Sequence, residues 1–175
     1  NLENWSTIVT IYKSMLDPLL KSTDLLARQA KMWTKDVKEW NQRSSDRNRY
    51  ESDILESLFI KITQNTRYVG LEFGRHSYEP ALPDMTLERG LGDCKDRAAL
   101  MIALARTLGI HLDFAMVRTR SAGKIKNDGL VSLSSFDHAA VYSQNLNRYF
   151  DPTLNYYDPK VLPRADHGAQ ALIVD

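Results

Sequence analysis

The sequence predicts an α+β fold, with helices first and then a central helix packed on an antiparallel β-sheet. Three observations carry this. Residues 5–62 place apolar side chains at three-and-four spacing, the stretch Cys94–Leu108 is apolar nearly all round, and short strand-like runs beyond residue 112 are punctuated by turn signals.

In the first helix Trp5, Ile8, Val9, Tyr12, Met15 and Leu16 form one apolar stripe, which Pro18 is expected to interrupt or restart. Ser22 or Thr23 is the predicted N-cap of a second helix carrying Leu25, Leu26, Ala30 and Trp33. Residues 41–48 are polar and read as a connection, and Tyr50, Ile54, Leu55, Leu58, Phe59 and Ile62 mark a third amphipathic helix. The run Arg67–Phe73 reads as a short strand. Residues 76–92, with Pro80, Pro83, Gly90 and Gly92, read as an ordered loop. The helix from Cys94 to Leu108, stopped by Gly109 as its C′ residue, has almost no polar face and so must be packed on several sides. Strands follow at 112–117, at 137–143 with 148–151 around the turn signal Gln144-Asn145-Leu146-Asn147, and at 171–174, with Pro152 ending the hairpin's second strand.

The whole of residues 1–175 is expected to be one domain, with 1–49 an N-terminal helical part and 50–175 a catalytic core. A net charge of only +1, from 23 basic and 22 acidic residues, gives no reason to expect a nucleic-acid partner. No apolar run approaches the roughly 20 residues that cross a bilayer, so no membrane insertion by this segment is expected. The chain opens at Asn1 without a leader pattern or Met, which predicts a processed protein or part of a longer chain. The single cysteine, Cys94, excludes an internal disulfide and multi-thiolate metal sites. No motif calls for a cofactor or a metal.

Cys94 is the residue that carries chemistry. It follows Gly92-Asp93 and opens the central helix, where unpaired backbone N–H groups favour a thiolate and could donate to an oxyanion, and where Lys95 could add positive charge. A cysteine nucleophile works with an imidazole and an orienting acceptor. Of His76, His111, His138 and His167, only His138 lies on a predicted hairpin with a carboxylate placed to help. A two-residue turn at Asn145-Leu146 and a four-residue turn over Gln144–Asn147 both set Asp151 opposite Ala140, two positions from His138 on the same face. The two would be diagonal neighbours roughly 7–8 Å apart at the backbone, whereas a three-residue turn would reverse the parity. Asp137 should face the other way.

Alternatives stand beside this. A lone cysteine in an apolar helix is more often packing, and Asp before Pro is more often a turn residue. Trp5, Trp33 and Trp40 read as packing between the N-terminal helices, and Lys35–Lys38 as a solvated face. Residues 121–130 read equally as a lid or a plain loop.

The stretch Gly92-Asp93-Cys94-Lys95-Asp96-Arg97-Ala98-Ala99-Leu100 resembles the cysteine motif of the transglutaminase-like superfamily. Phe136-Asp137-His138-Ala139 and Tyr149-Phe150-Asp151-Pro152-Thr153 resemble its histidine and aspartate motifs, in the same order. The segments Tyr68–Gly74 and Ser77–Pro80 resemble a bacterial branch of that superfamily, and the likeness covers roughly residues 50–175. The resemblance implies a papain-like core, with Cys94 as nucleophile, His138 as base and acid, Asp151 as orienter, and an oxyanion-assisting aromatic at Tyr68, where this chain has Tyr and not Trp. It implies acyl transfer on a peptide or protein substrate through a thioester, with hydrolysis by a peptidase or amidase as the first reading. Cross-linking by a transglutaminase and a non-catalytic binding module of the same fold are the alternatives. It also implies a bacterial, extracytoplasmic or periplasmic setting. Ala140 stands where the family has an aromatic after His-Ala, and the calcium sites of animal cross-linking relatives have no counterpart here.

Overall fold

A computed structural model describes residues 4–37, 46–70, 77–125, 131–154 and 158–175. Helix α1 (Trp5–Leu19) starts at Asn4, whose side chain accepts from the Thr7 N–H, and buries Ile8, Tyr12 and Leu16. Pro18 does not break it. The residue falls in the last turn, and the helix ends one residue later. Helix α2 (Asp24–Trp33) is capped by Thr23 and α3 (Arg47–Asn65) by Asp46. The apolar stripe read from Ile54 to Ile62 is buried.

Residues 76–92 differ from the expected loop. Pro83–Arg89 form a short helix, α4, with proline at its first turn and Gly90 closing it at φ +60°. Strand β2 (Leu91–Gly92) then pairs in parallel with β1 (Arg67–Tyr68). The expected extension of β1 through 71–73 lies outside the described residues, as do His76 and Trp40. Helix α5 (Cys94–Thr107) is buried along nearly its whole length, and Gly109 follows it at φ +76°.

A four-stranded antiparallel sheet completes the fold in the order β5-β4-β3-β6, from β3 (Asp113–Arg118), β4 (His138–Ser143), β5 (Arg148–Phe150) and β6 (Gln170–Val174). The hairpin has the parity required above, with Val141 opposite Phe150, Tyr142 opposite Tyr149 and Ser143 opposite Arg148. Its four-residue turn closes with Asn147 at φ +47°. Phe114, Met116, Ala139 and Val141 join α5 in the main core. Ala115, Val117 and Ala140 lie on the other face, under Tyr142, Tyr149 and Ile173. Helices α2, α3 and α4 pack around α5, and α1 packs on β6. Trp5 stacks edge-on against Phe136, with centroids 5.6 Å apart, so its aromatic partner lies in the segment before β4.

Candidate active site

Helix α5 begins where it does because Asp93 caps it. The Asp93 Oδ1 accepts from the N–H groups of Lys95 (3.1 Å) and Asp96 (3.2 Å), and the Asp96 Oδ2 accepts from the Asp93 N–H (3.1 Å), a reciprocal capping box. The sequence suggested a set of free N–H donors here. The cap uses two of them, which leaves the Cys94 N–H as the first-turn donor not so engaged. The Lys95 ammonium turns back to the Asp93 carboxylate, so its charge is held in a buried ion pair. Burial raises the Asp93 pKa, and the hydrogen bond from Lys95 only partly offsets this.

Cys94 is a free thiol, 9% exposed, at one side of an open cleft of about 440 Å³. His138, the first residue of β4, lines the same cleft. Its Nε2 lies 3.0 Å from Asp151 Oδ2, and Cys94 is the other group that acts on the ring. With Nε2 taken by Asp151, Nδ1 is the nitrogen left to face the sulfur. Asp151 sits just beyond β5, and its Oδ1 accepts from the Thr153 N–H (3.0 Å) and hydroxyl (2.7 Å). The structure thus brings Cys94, His138 and Asp151 together.

The electrostatics follow from burial and pairing. Burial alone would lower the His138 pKa. The hydrogen bonds and charges of Asp151 and Cys94 outweigh it and raise the imidazole to about 10. Burial pushes the Asp151 carboxyl up, and its hydrogen bond and ion pair with His138, helped by Thr153, hold it below the ordinary carboxylate range. Asp137, just before β4, also lines the cleft, and its carboxylate accepts from the Thr119 N–H and hydroxyl at 2.7 and 2.6 Å. Exposed His111 pairs with Asp113, and His167 with the Leu162 carbonyl. Tyr68 is 41% exposed on β1, with its ring 5.6 Å from the Arg97 guanidinium, and it is not part of the cleft wall shared by Cys94 and His138.

Two further residues belong to this region. Arg97 is fully buried one turn after Cys94, and its guanidinium donates to the carbonyls of Thr66, Pro152 and Thr153. It thereby ties the helix that opens with Cys94 to the turn that carries Asp151. In the sequence it is one of four charged residues of α5, with Lys95, Asp96 and Arg106, and nothing there marked it as the fully buried one. Asp166 has no signal there either. Its carboxyl reaches the His138–Asp151 pair from the turn before β6, and one donor atom from each of the three lies within 4.8 Å of the others. His138 and Asp151 hydrogen-bond each other, and Asp166 stands beside that pair with neither carboxyl oxygen hydrogen-bonded among the described residues.

The family model of the transglutaminase-like superfamily matches residues 38–145, more than half of the chain. The chain belongs to the transglutaminase-like superfamily. The matched region contains Cys94 and His138 and stops short of Asp151. No curated protein matches the chain. Among solved structures, a proposed protease from Parabacteroides distasonis ATCC 8503 is 15% identical with a TM-score of 0.59, over 95% of this chain and 29% of that one. That likeness is one of fold. A proposed cysteine protease from Cytophaga hutchinsonii is 20% identical with a TM-score of 0.43, over 78% of this chain and 41% of that one. The chain therefore spans less than half the length of either neighbour.

Proposed function

We propose that this transglutaminase-like chain performs cysteine-dependent acyl transfer at a carboxamide or peptide bond, with water as the acyl acceptor. One observation carries the reading: an imidazole hydrogen-bonded to Asp151 shares the wall of an open cleft with the only thiol, which stands at the start of a capped helix. In this reading the Cys94 sulfur, its proton passed to His138, attacks the substrate carbonyl carbon. The oxyanion meets the Cys94 N–H. The C–N bond breaks as His138 gives its proton to the leaving nitrogen, and a thioester remains on Cys94. Water then attacks the thioester carbon and yields a proton to His138. The C–S bond breaks, releasing a carboxylic acid, and the sulfur regains its original state. Asp151 keeps the imidazole turned toward the sulfur throughout.

The test is chemical. Iodoacetamide should alkylate Cys94 at pH 6 far faster than it alkylates free cysteine, and His138→Ala should abolish the excess. Equal rates for the protein and free cysteine would sink the enzyme reading and leave a binding module. Incubation of labelled peptides with and without a primary amine then separates hydrolysis from cross-linking. Products containing the amine would replace water by an amine as the acceptor.

A further inference from the structure

Asp166 closes the short turn Arg164–Asp166. Both of its carboxyl oxygens are buried, and no described group donates a hydrogen bond to either. They adjoin a cavity of about 130 Å³ on the sheet face away from α5, lined by Val117, Ala140, Tyr149 and Leu162. A buried carboxylate without donors is unfavourable, so this group needs either a proton or a nearby cation. The groups around it limit the choice. Asp151, Asp137 and His138 are the charges that act on it. Tyr149 is the titratable group in the cavity wall. The turn Arg120–Ala122 packs against its own turn, but Arg120 is exposed, and neighbouring Arg118 is spent on the carbonyls of Ala122, Gly123 and Ser135. On its own turn Arg164 is exposed, and exposed His167 faces the Leu162 carbonyl. Among the described residues, the cation that remains is the His138 imidazolium.

We propose that Asp166 is a positioning residue for the His138–Asp151 pair, a second acid that donates a hydrogen bond to Asp151 when protonated and adds negative charge beside the imidazolium when ionised. The inference rests on His138 and Asp151 forming the working pair described above. Its consequence is a two-stage site. Burial first, and then the charge of Asp151, raise the Asp166 carboxyl to about 6, against the pull of His138. Below that pH the two carboxyls share a proton, and above it both are ionised and the imidazolium is held more firmly.

Histidine labelled with 15N reports this directly, with the His138 signal assigned from its absence in His138→Gln. In the wild type the His138 shift should show a small inflection near pH 6 besides its own titration at high pH. Asp166→Asn should erase the lower inflection and bring the imidazole titration down by about one pH unit. Asp166→Glu should keep both features. A wild-type profile without the lower inflection overturns the inference, and so does an Asp166→Asn profile that superimposes on the wild type. The wild-type measurement needs no variant to fold. Because the signal is independent of turnover, a protein that titrates in this way but never forms a thioester would refute the proposed function and leave the role of Asp166 standing.

Discussion

At the scale of single residues, Arg97 contributes more than its place in an apolar helix suggests. Its guanidinium satisfies the carbonyls of Thr66, Pro152 and Thr153 in the interior. Arg97→Met should therefore cost about 3 kcal/mol or more, because three carbonyls lose a charged donor, and Arg97→Lys should recover little, since an ammonium cannot span the same fork. Urea denaturation of the two variants checks this. Reactivity of Cys94 should fall with stability as the Asp151 turn is released. The His138–Asp151 pair makes a second prediction. An imidazole raised from 6.5 to about 10 contributes stability that is fully present below pH 6.5 and is lost as pH rises toward 10. Asp151, held low, contributes stability that is present above the ordinary carboxylate pKa and is lost as pH falls through its lowered folded value. The urea midpoint should decline from pH 6.5 to about 10 in the wild type, and Asp151→Asn should flatten that slope. Cys94, His138 and Asp151 were legible in the sequence because helix-start chemistry and hairpin parity are local. Asp166 was not, since only the return of β6 antiparallel to β3 brings its turn beside them.

At the scale of elements, the start of α5 is where several demands meet. Asp93 caps the helix and also holds buried Lys95. Loss of the cap alone costs about 1 kcal/mol, whereas stranding a buried ammonium costs about 3 kcal/mol or more. Asp93→Ala should therefore be strongly destabilising. Asp93→Asn, which keeps the cap but not the ion pair, should fall between the two, and thermal denaturation ranks them. Gly92 offers an independent check. A Cβ there would lie 2.9 Å from the Asp96 Cβ and 3.0 Å from the Thr86 Cγ2, so Gly92→Ala should push α4 and α5 apart at a cost of about 1–3 kcal/mol. The central helix and the hairpin could be read because their patterns are long or symmetric. Helix α4 could not, because proline at its first turn and glycine at its end are also loop signals, and seven residues give too little periodicity to decide. The parallel β1–β2 pair is equally hidden, as two residues carry no alternation.

At the scale of the whole molecule, helix α1 is part of the cleft as well as its support. Tyr12 of α1 lines it, and the Tyr12 hydroxyl donates to the Tyr78 carbonyl at 2.7 Å. Tyr12→Phe should loosen that wall by about 1 kcal/mol, raising KM roughly fivefold for a cleft-filling substrate while leaving kcat near its wild-type value. Steady-state kinetics on the best peptide found would show it. This involvement was not legible, because the stripe on α1 says which face is buried but not which partner it meets. Phe114, which stacks on Tyr12 at 5.3 Å, lies 102 positions away.

The Arg97 clamp reaches further than its own hydrogen bonds. The sulfur and the carboxylate hydrogen-bonded to the neighbouring imidazole are mounted on one internal strut, and the strut is a fully buried arginine. Warming such an assembly leaves little room for a half-working form, in which the helix survives while the acid drifts. Thiol reactivity and tertiary signal should disappear along a single curve as temperature rises.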